Sequence, residues 1–154
     1  LGINTGRVRE RLPRVQRRVA RMAEAAGEAV RLIGWSLGGV FARETARSWP
    51  ELVQRVITLG SPIVGGPKYT RAAPVYRGQG LDLDAIEAAL AARESTPIRV
   101  PITAIWSRAD GIVAWQACVD RRSPDVENVE VSATHLGLGF AADVYRVIAE
   151  RLPL

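Results

Sequence analysis

The chain has 154 residues, a length that suits one domain (1–154) better than two and is enough to bury a real core. Apolar residues make up 47% and charged residues 24%, near the globular average, and no apolar run approaches the roughly 18 residues that span a bilayer. The single cysteine, Cys118, excludes an internal disulfide, and one His with one Cys argues against a metal site built from those residues, so no cofactor is expected.

The net charge of +5 raises nucleic acid or an anionic membrane as a partner. Of the 21 basic residues only Lys68 is a lysine, which points to a coding bias toward Arg. The Arg residues between Arg7 and Arg21 also alternate with apolar positions of a helix. Nucleic acid is therefore not an expected partner. The chain starts polar and Gly-rich, then turns strongly basic, unlike a secretory signal, so a cytoplasmic location is expected.

Residues 1–6 (LGINTG) read as a loop. From Val8 to about Ala26, apolar residues recur at helical spacing through Leu12, Val15, Val19 and Met22, with Pro13 placed early and Gly27 as a stop. AVRLIGWS (29–36) is short, apolar and followed by glycines, which predicts a buried strand ending in a tight turn. Residues 37–49 return to helical spacing through Leu37, Val40, Phe41, Thr45 and Trp49, and Pro50 closes them. VQRVITLG (53–60) predicts a second strand. Residues 61–80, rich in Gly and Pro, predict a long loop of the kind that is often functional. Residues 82–94 predict a short helix with Ile86, Ala89 and Leu90 as its stripe. RVPITAIW (99–106) and ENVEVSA (127–133) predict two more strands, with room between them for a short crossover helix. The last helix runs from about Gly139 to Leu152, with Phe140, Val144, Val147, Ile148 and Leu152 inward. Strands alternating with helices predict the α/β class: a small, mostly parallel sheet of about four strands flanked by helices.

Gly34-Trp35-Ser36-Leu37-Gly38 matches G-x-S-x-G, with Gly39 next. The match lies between a predicted strand and a predicted helix, where a serine can sit on a sharp, strained turn with its hydroxyl at the top of the sheet. Glycines two before and two after let the flanking elements approach. The turn also places the N–H of Leu37 at a helix N-terminus, where it can stabilise an oxyanion. A glycine-rich turn with a capping serine is the competing reading. A serine hydroxyl needs a base, and His135, the sole histidine, follows the fourth strand in SATHLGLG. An imidazole in turn needs an acid to hold its tautomer. Asp110 follows the third strand in WSRADGIV, with Asp120 and Asp125 as rivals, and could instead cap a turn with Gly111.

The segments IGWSLGG, TLGSP, WSRADGIVAWQ and ATHLGLG, at their spacing, resemble the C-terminal two-thirds or so of a bacterial α/β-hydrolase of the esterase/lipase type. The resemblance covers nearly the whole chain. It implies a minimal α/β-hydrolase core, a triad of Ser36, Asp110 and His135 in that family's chain order, and the Leu37 N–H as one oxyanion donor. The implied activity is that of a carboxylesterase or lipase working through an acyl-enzyme on a small-molecule or lipid ester.

A full α/β-hydrolase has several strands before the nucleophile strand, and one of their loops supplies the second oxyanion N–H. Nothing in this sequence corresponds to them. The N-terminal loop at Ile3–Thr5 or the loop Ser61–Gly66 is the expected replacement. The strand 29–35 becomes an edge, so a homo-oligomer through that edge is expected. Trp35, Trp106, Trp115 and Leu136 lie beside site positions and are expected either to line the substrate site or to serve as packing. With only the short 67–95 segment as a cap, an unlidded site for short- to medium-chain acyl esters is expected. Acyl transfer on the same fold and a non-catalytic interaction module are the alternatives.

Overall fold

A computed structural model describes residues 8–152. The loop expected at 1–6 lies outside them. Strands Val30–Trp35 (β1), Val53–Leu59 (β2), Ile102–Trp106 (β3) and Val126–Glu130 (β4) form one sheet in that spatial order, and every neighbouring pair is parallel. The helices are Val8–Ala26 (α1), Leu37–Ser48 (α2), Ala73–Gly78 (α3), Leu83–Arg93 (α4) and Ala142–Glu150 (α5). Parallel neighbours need crossovers rather than hairpins, so every strand carboxyl end lies on one edge, and each chain segment leaving that edge is a potential site loop.

The two central strands are covered on both faces. Successive residues of a strand point to opposite sides. Val56 and Ile102 pack with Val19 of α1 and Ala42 and Ala46 of α2, while Ile57 and Ile105 pack with Val144 and Ile148 of α5. Each such fully buried aliphatic side chain contributes about 1.5–3 kcal/mol. The edge strand β1 is more open than its apolar run suggests: only Gly34 in it is buried, and Ile33 and Trp35 are exposed.

Some elements depart from the expected pattern. Met22 is exposed, and Ala23 takes the inward place beside Val19. Pro13 sits in the second turn of α1, not the first. The segment 61–80 is not a bare loop: it holds a 3₁₀ turn, Gly66–Tyr69, and α3. The crossover from β3 to β4 carries the 3₁₀ turn Trp115–Cys118. The last helix starts at Ala142, after a separate 3₁₀ turn at Gly137–Gly139, and that break turns Phe140 outward, leaving it 79% exposed.

Candidate active site

Four turns meet at the carboxyl edge of the sheet, one after each strand. The first carries Ser36, at φ 53 and ψ −123, the sole non-glycine residue with positive φ among the described residues. A side chain in that region costs on the order of 1–3 kcal/mol and persists only where the surroundings impose it. Here the Ser36 N–H donates to Leu59 O at 2.8 Å and the Gly39 N–H donates to Ser36 O at 3.1 Å, which lock the turn from both sides.

The glycines explain how the strand and helix come so close. A Cβ on Gly34 would lie 2.4 Å from the Gly39 nitrogen, and one on Gly39 would lie 2.0 Å from Ser61 Oγ. Gly38, expected to be the second tight position, has open space around it. The steric demand falls on Gly39 because Ser61, at the end of β2, packs under the first turn of α2.

The third and fourth turns hold the other two predicted residues together. His135 Nδ1 lies 2.7 Å from Asp110 Oδ2, and both side chains are buried. Asp110 contacts both its own turn and the imidazole, through different oxygens. Its Oδ1 accepts from the N–H groups of Ile112 at 2.9 Å and Val113 at 2.6 Å, which fixes the carboxylate and leaves Oδ2 for the imidazole. The His135 N–H donates to Asp110 O at 2.8 Å, and Ser107 Oγ accepts from Ala109 and Ala133, so the two loops are stitched along their backbones as well.

The rivals are elsewhere. Asp120 is paired with Arg43 at 2.6 Å, and both are buried. Burial acts to raise its pKa, but the Arg43 charge and the hydrogen bonds from Ser123 and the Arg122 N–H outweigh it, bringing the carboxyl down to about 2. Asp125 offers its backbone carbonyl to Ile102 across the sheet. Cys118, buried and with the Asp110 charge nearby, has its thiol pushed up to about 12, which makes it a packing residue and not a nucleophile.

Ser36 stands on the same edge. Its neighbour Trp35 donates Nε1–H to His135 O at 3.0 Å, and the two rings lie 5.6 Å apart. The serine hydroxyl itself makes no hydrogen bond to the imidazole among the described residues. Catalytic hydrogen bonds without substrate are often long and tighten only in the complex.

Gly60, at the end of β2, escaped the sequence reading. Its φ is +52, and a Cβ there would lie 2.7 Å from Asp110 Oδ2 and 3.1 Å from His135 Nδ1. The signal was present as the glycine of TLGSP, but only the fold reveals what it borders.

Beside Ser36 lies a cavity of about 340 Å³, walled on one side by Leu37 and Val40 of α2 and on the other by Tyr76 of α3 and Ile86 and Leu90 of α4. Residues between Gly66 and Arg93, within the segment expected as a short cap, thus line the cavity beside the serine. Trp35, Trp106, Trp115 and Leu136 lie outside this lining. Trp35 tethers the His135 loop, Trp106 is buried and stacks on Trp115 at 5.0 Å, and Leu136 points out, 66% exposed.

Comparison with known proteins agrees with this architecture. No family model and no curated protein matches the sequence. Among solved structures, the chain is similar to the Paleococcus ferrophilus monoacylglycerol lipase at 16% identity and a TM-score of 0.65, covering 92% of this chain and 74% of that one. It is similar to an α/β hydrolase enzyme from a sediment metagenome of the Mar Chica lagoon, Morocco, at 21% identity and a TM-score of 0.63, covering 91% and 68%. A third likeness is to the Bacillus licheniformis lipase BlEst2 in mature form, at 15% identity and a TM-score of 0.67, covering 91% and 72%. The fold is that of the α/β hydrolases, in a four-stranded parallel form. A fold hosts many chemistries, so function has to be argued from the site.

Proposed function

We propose that this α/β-hydrolase domain cleaves carboxylic esters, with Ser36 as nucleophile, His135 as general base and Asp110 as the acid that orients it. The observation that carries the reading is the pairing of a strained elbow serine with a fully braced Asp110–His135 couple on one edge of the sheet. Strain of that kind gathers at functional sites. A proton on His135 Nδ1, donated to Asp110, leaves the Nε2 lone pair as the base. Ser36 Oγ then attacks the ester carbonyl as its proton passes to Nε2. The proton goes on to the leaving alkoxide, and a water activated the same way releases the acid from the acyl-enzyme.

The oxyanion needs preorganised donors, each worth about 2.7–4 kcal/mol. Leu37 is the first residue of α2, where an N–H has no partner within the helix. Of the two segments expected to supply the second donor, Ile3–Thr5 lies outside the described residues. In Ser61–Gly66, Pro62 has no N–H, and those of Ile63 and Val64 are taken by Ser61 O and Ala117 O. Gly66, which borders the cavity, is the donor we favour there.

The apolar cavity suits a short- to medium-chain acyl group, and the chemistry needs no cofactor. Hydrolysis of p-nitrophenyl butyrate by the native chain and by Ser36→Ala tests the reading: activity is expected in the first and lost in the second. Equal rates would overturn it. Among the described residues no helix is long and apolar enough to cross a membrane.

A further inference from the structure

The apolar face of α4 has an unusual destination. Ile86 and Leu90 stay half-buried and do not join the core, and with Arg93 they face the cavity instead. These are i, i+4 and i+7 positions, one face of a helix. Across the cavity α2 presents a matching row, Ser36, Val40 and Glu44, spaced i, i+4 and i+8. The two rows meet at one end, where Arg93 Nη1 contacts Glu44 Oε2 at 2.6 Å. Glu44 is buried, and its other oxygen accepts from Arg47 Nε at 3.3 Å. The space is thus a trench with the serine at one end, two apolar walls and an ion pair at the other.

We propose that this trench measures the acyl chain, admitting about eight to ten carbons, with the Glu44–Arg93 pair as its closed end. The inference rests on the ester-hydrolase reading for the role of Ser36 but not for the shape of the trench. Eight residues of helix separate Ser36 from Glu44, or about 12 Å at 1.5 Å per residue. A zigzag of C–C bonds of about 1.5 Å advances roughly 1.3 Å per bond, so about nine bonds fit. A longer chain must displace the Arg93 side chain from the buried Glu44, which would then keep Arg47 alone.

The test separates binding from turnover. Ser36→Ala is titrated by calorimetry with straight-chain carboxylates from hexanoate to tetradecanoate, kept below micelle formation. Affinity is expected to rise about fourfold per added methylene, then stop rising at eight to ten carbons. In the same background Leu90→Phe is expected to lower that ceiling by two to four carbons, and Arg93→Ala to raise it. Ala89→Leu, on the same wall, replaces Leu90→Phe if the latter does not fold. Affinity that climbs steadily through fourteen carbons, or a ceiling that neither kind of variant moves, would overturn the proposal. A ceiling in binding without hydrolysis by the native chain would overturn the esterase reading alone, and hydrolysis without a ceiling would overturn the trench alone.

Discussion

Gly60→Ala tests whether the Asp110–His135 couple is held by close backbone approach. Gly60 has φ +52, and a residue with a Cβ in left-handed backbone costs about 1–2 kcal/mol. The added methyl would also lie 2.7 Å from Asp110 Oδ2 and 2.6 Å from Leu138 Cδ1, where ordinary contact begins near 3.4 Å. Asp110 must therefore give by about 0.7 Å and Leu138 by about 0.8 Å, and Leu138 is fully buried, with little room to yield. A misplacement of about 1 Å in a catalytic group costs on the order of 10²-fold in rate. The expected outcome is a kcat for ester hydrolysis reduced about 10²-fold, with KM little changed and stability lowered by about 1–3 kcal/mol in urea denaturation. Gly27→Ala is the control. Gly27 has φ +71, but a Cβ there meets nothing within 4 Å, so this variant bears the backbone cost alone and keeps its kcat. A folded Gly60→Ala protein with kcat within threefold of the native value would refute the reasoning.

Ser36→Gly removes a side chain from strained backbone, so it should gain about 1 kcal/mol in denaturation while losing hydrolysis, since the elbow holds at least that much strain. Arg43→Met leaves the Asp120 carboxylate buried without its cation and should cost about 3–5 kcal/mol at neutral pH. In the native protein the lowered Asp120 pKa, about 2 against an ordinary 3.8, contributes about 2 kcal/mol. That contribution is present above about pH 4 and fades as pH falls through 2. In Arg43→Met burial raises the carboxyl instead, so urea midpoints should begin to change with pH at higher values than in the native protein; unchanged pH dependence would count against the pair. Among the described residues β1 pairs only with β2, so its other side is open, with Ile33 exposed. Self-association through it is expected by light scattering and should be lost in Ile33→Lys; a native monomer at high concentration would remove the idea.

The central elements were readable because one physical cause dominates each. β3 and the stretch Val56–Leu59 of β2 are buried on both faces, and buried parallel strands favour apolar runs. The elbow was readable because its backbone can be reached only with glycines in particular places, though the crowded position is Gly39, beside Ser61, and not Gly38. Asp110 and His135 were readable as residues following strands, since parallel topology sends all strand ends to one edge. What a linear string hides is pairing. Nothing in WSRADGIV tells that one oxygen of Asp110 serves its own turn and the other the imidazole 25 residues on. Nor does Trp35, beside the serine, announce that its indole N–H holds the His135 backbone and does not face a substrate.

The cap was the least legible part, for a different reason. Periodicity marks a face as apolar, and the usual inference is that an apolar face meets the core. In α4 the expected stripe Ile86, Ala89, Leu90 borders the cavity, with Ile86 and Leu90 set against Gly66 of the 3₁₀ turn. The helix is held by the buried Leu83, by Ile86 and Leu90 against Gly66, and by ion pairs at its ends: Lys68 to Asp84 and Glu87 near its start, and Arg93 to Glu44 near its finish. Held in this way, a helix can keep part of an apolar face free for a guest, and no hydrophobic pattern distinguishes that arrangement from core packing. The distinction lies in the charged residues flanking the stripe, which in α4 reach across to the 3₁₀ turn and to α2 and do not pair along their own helix.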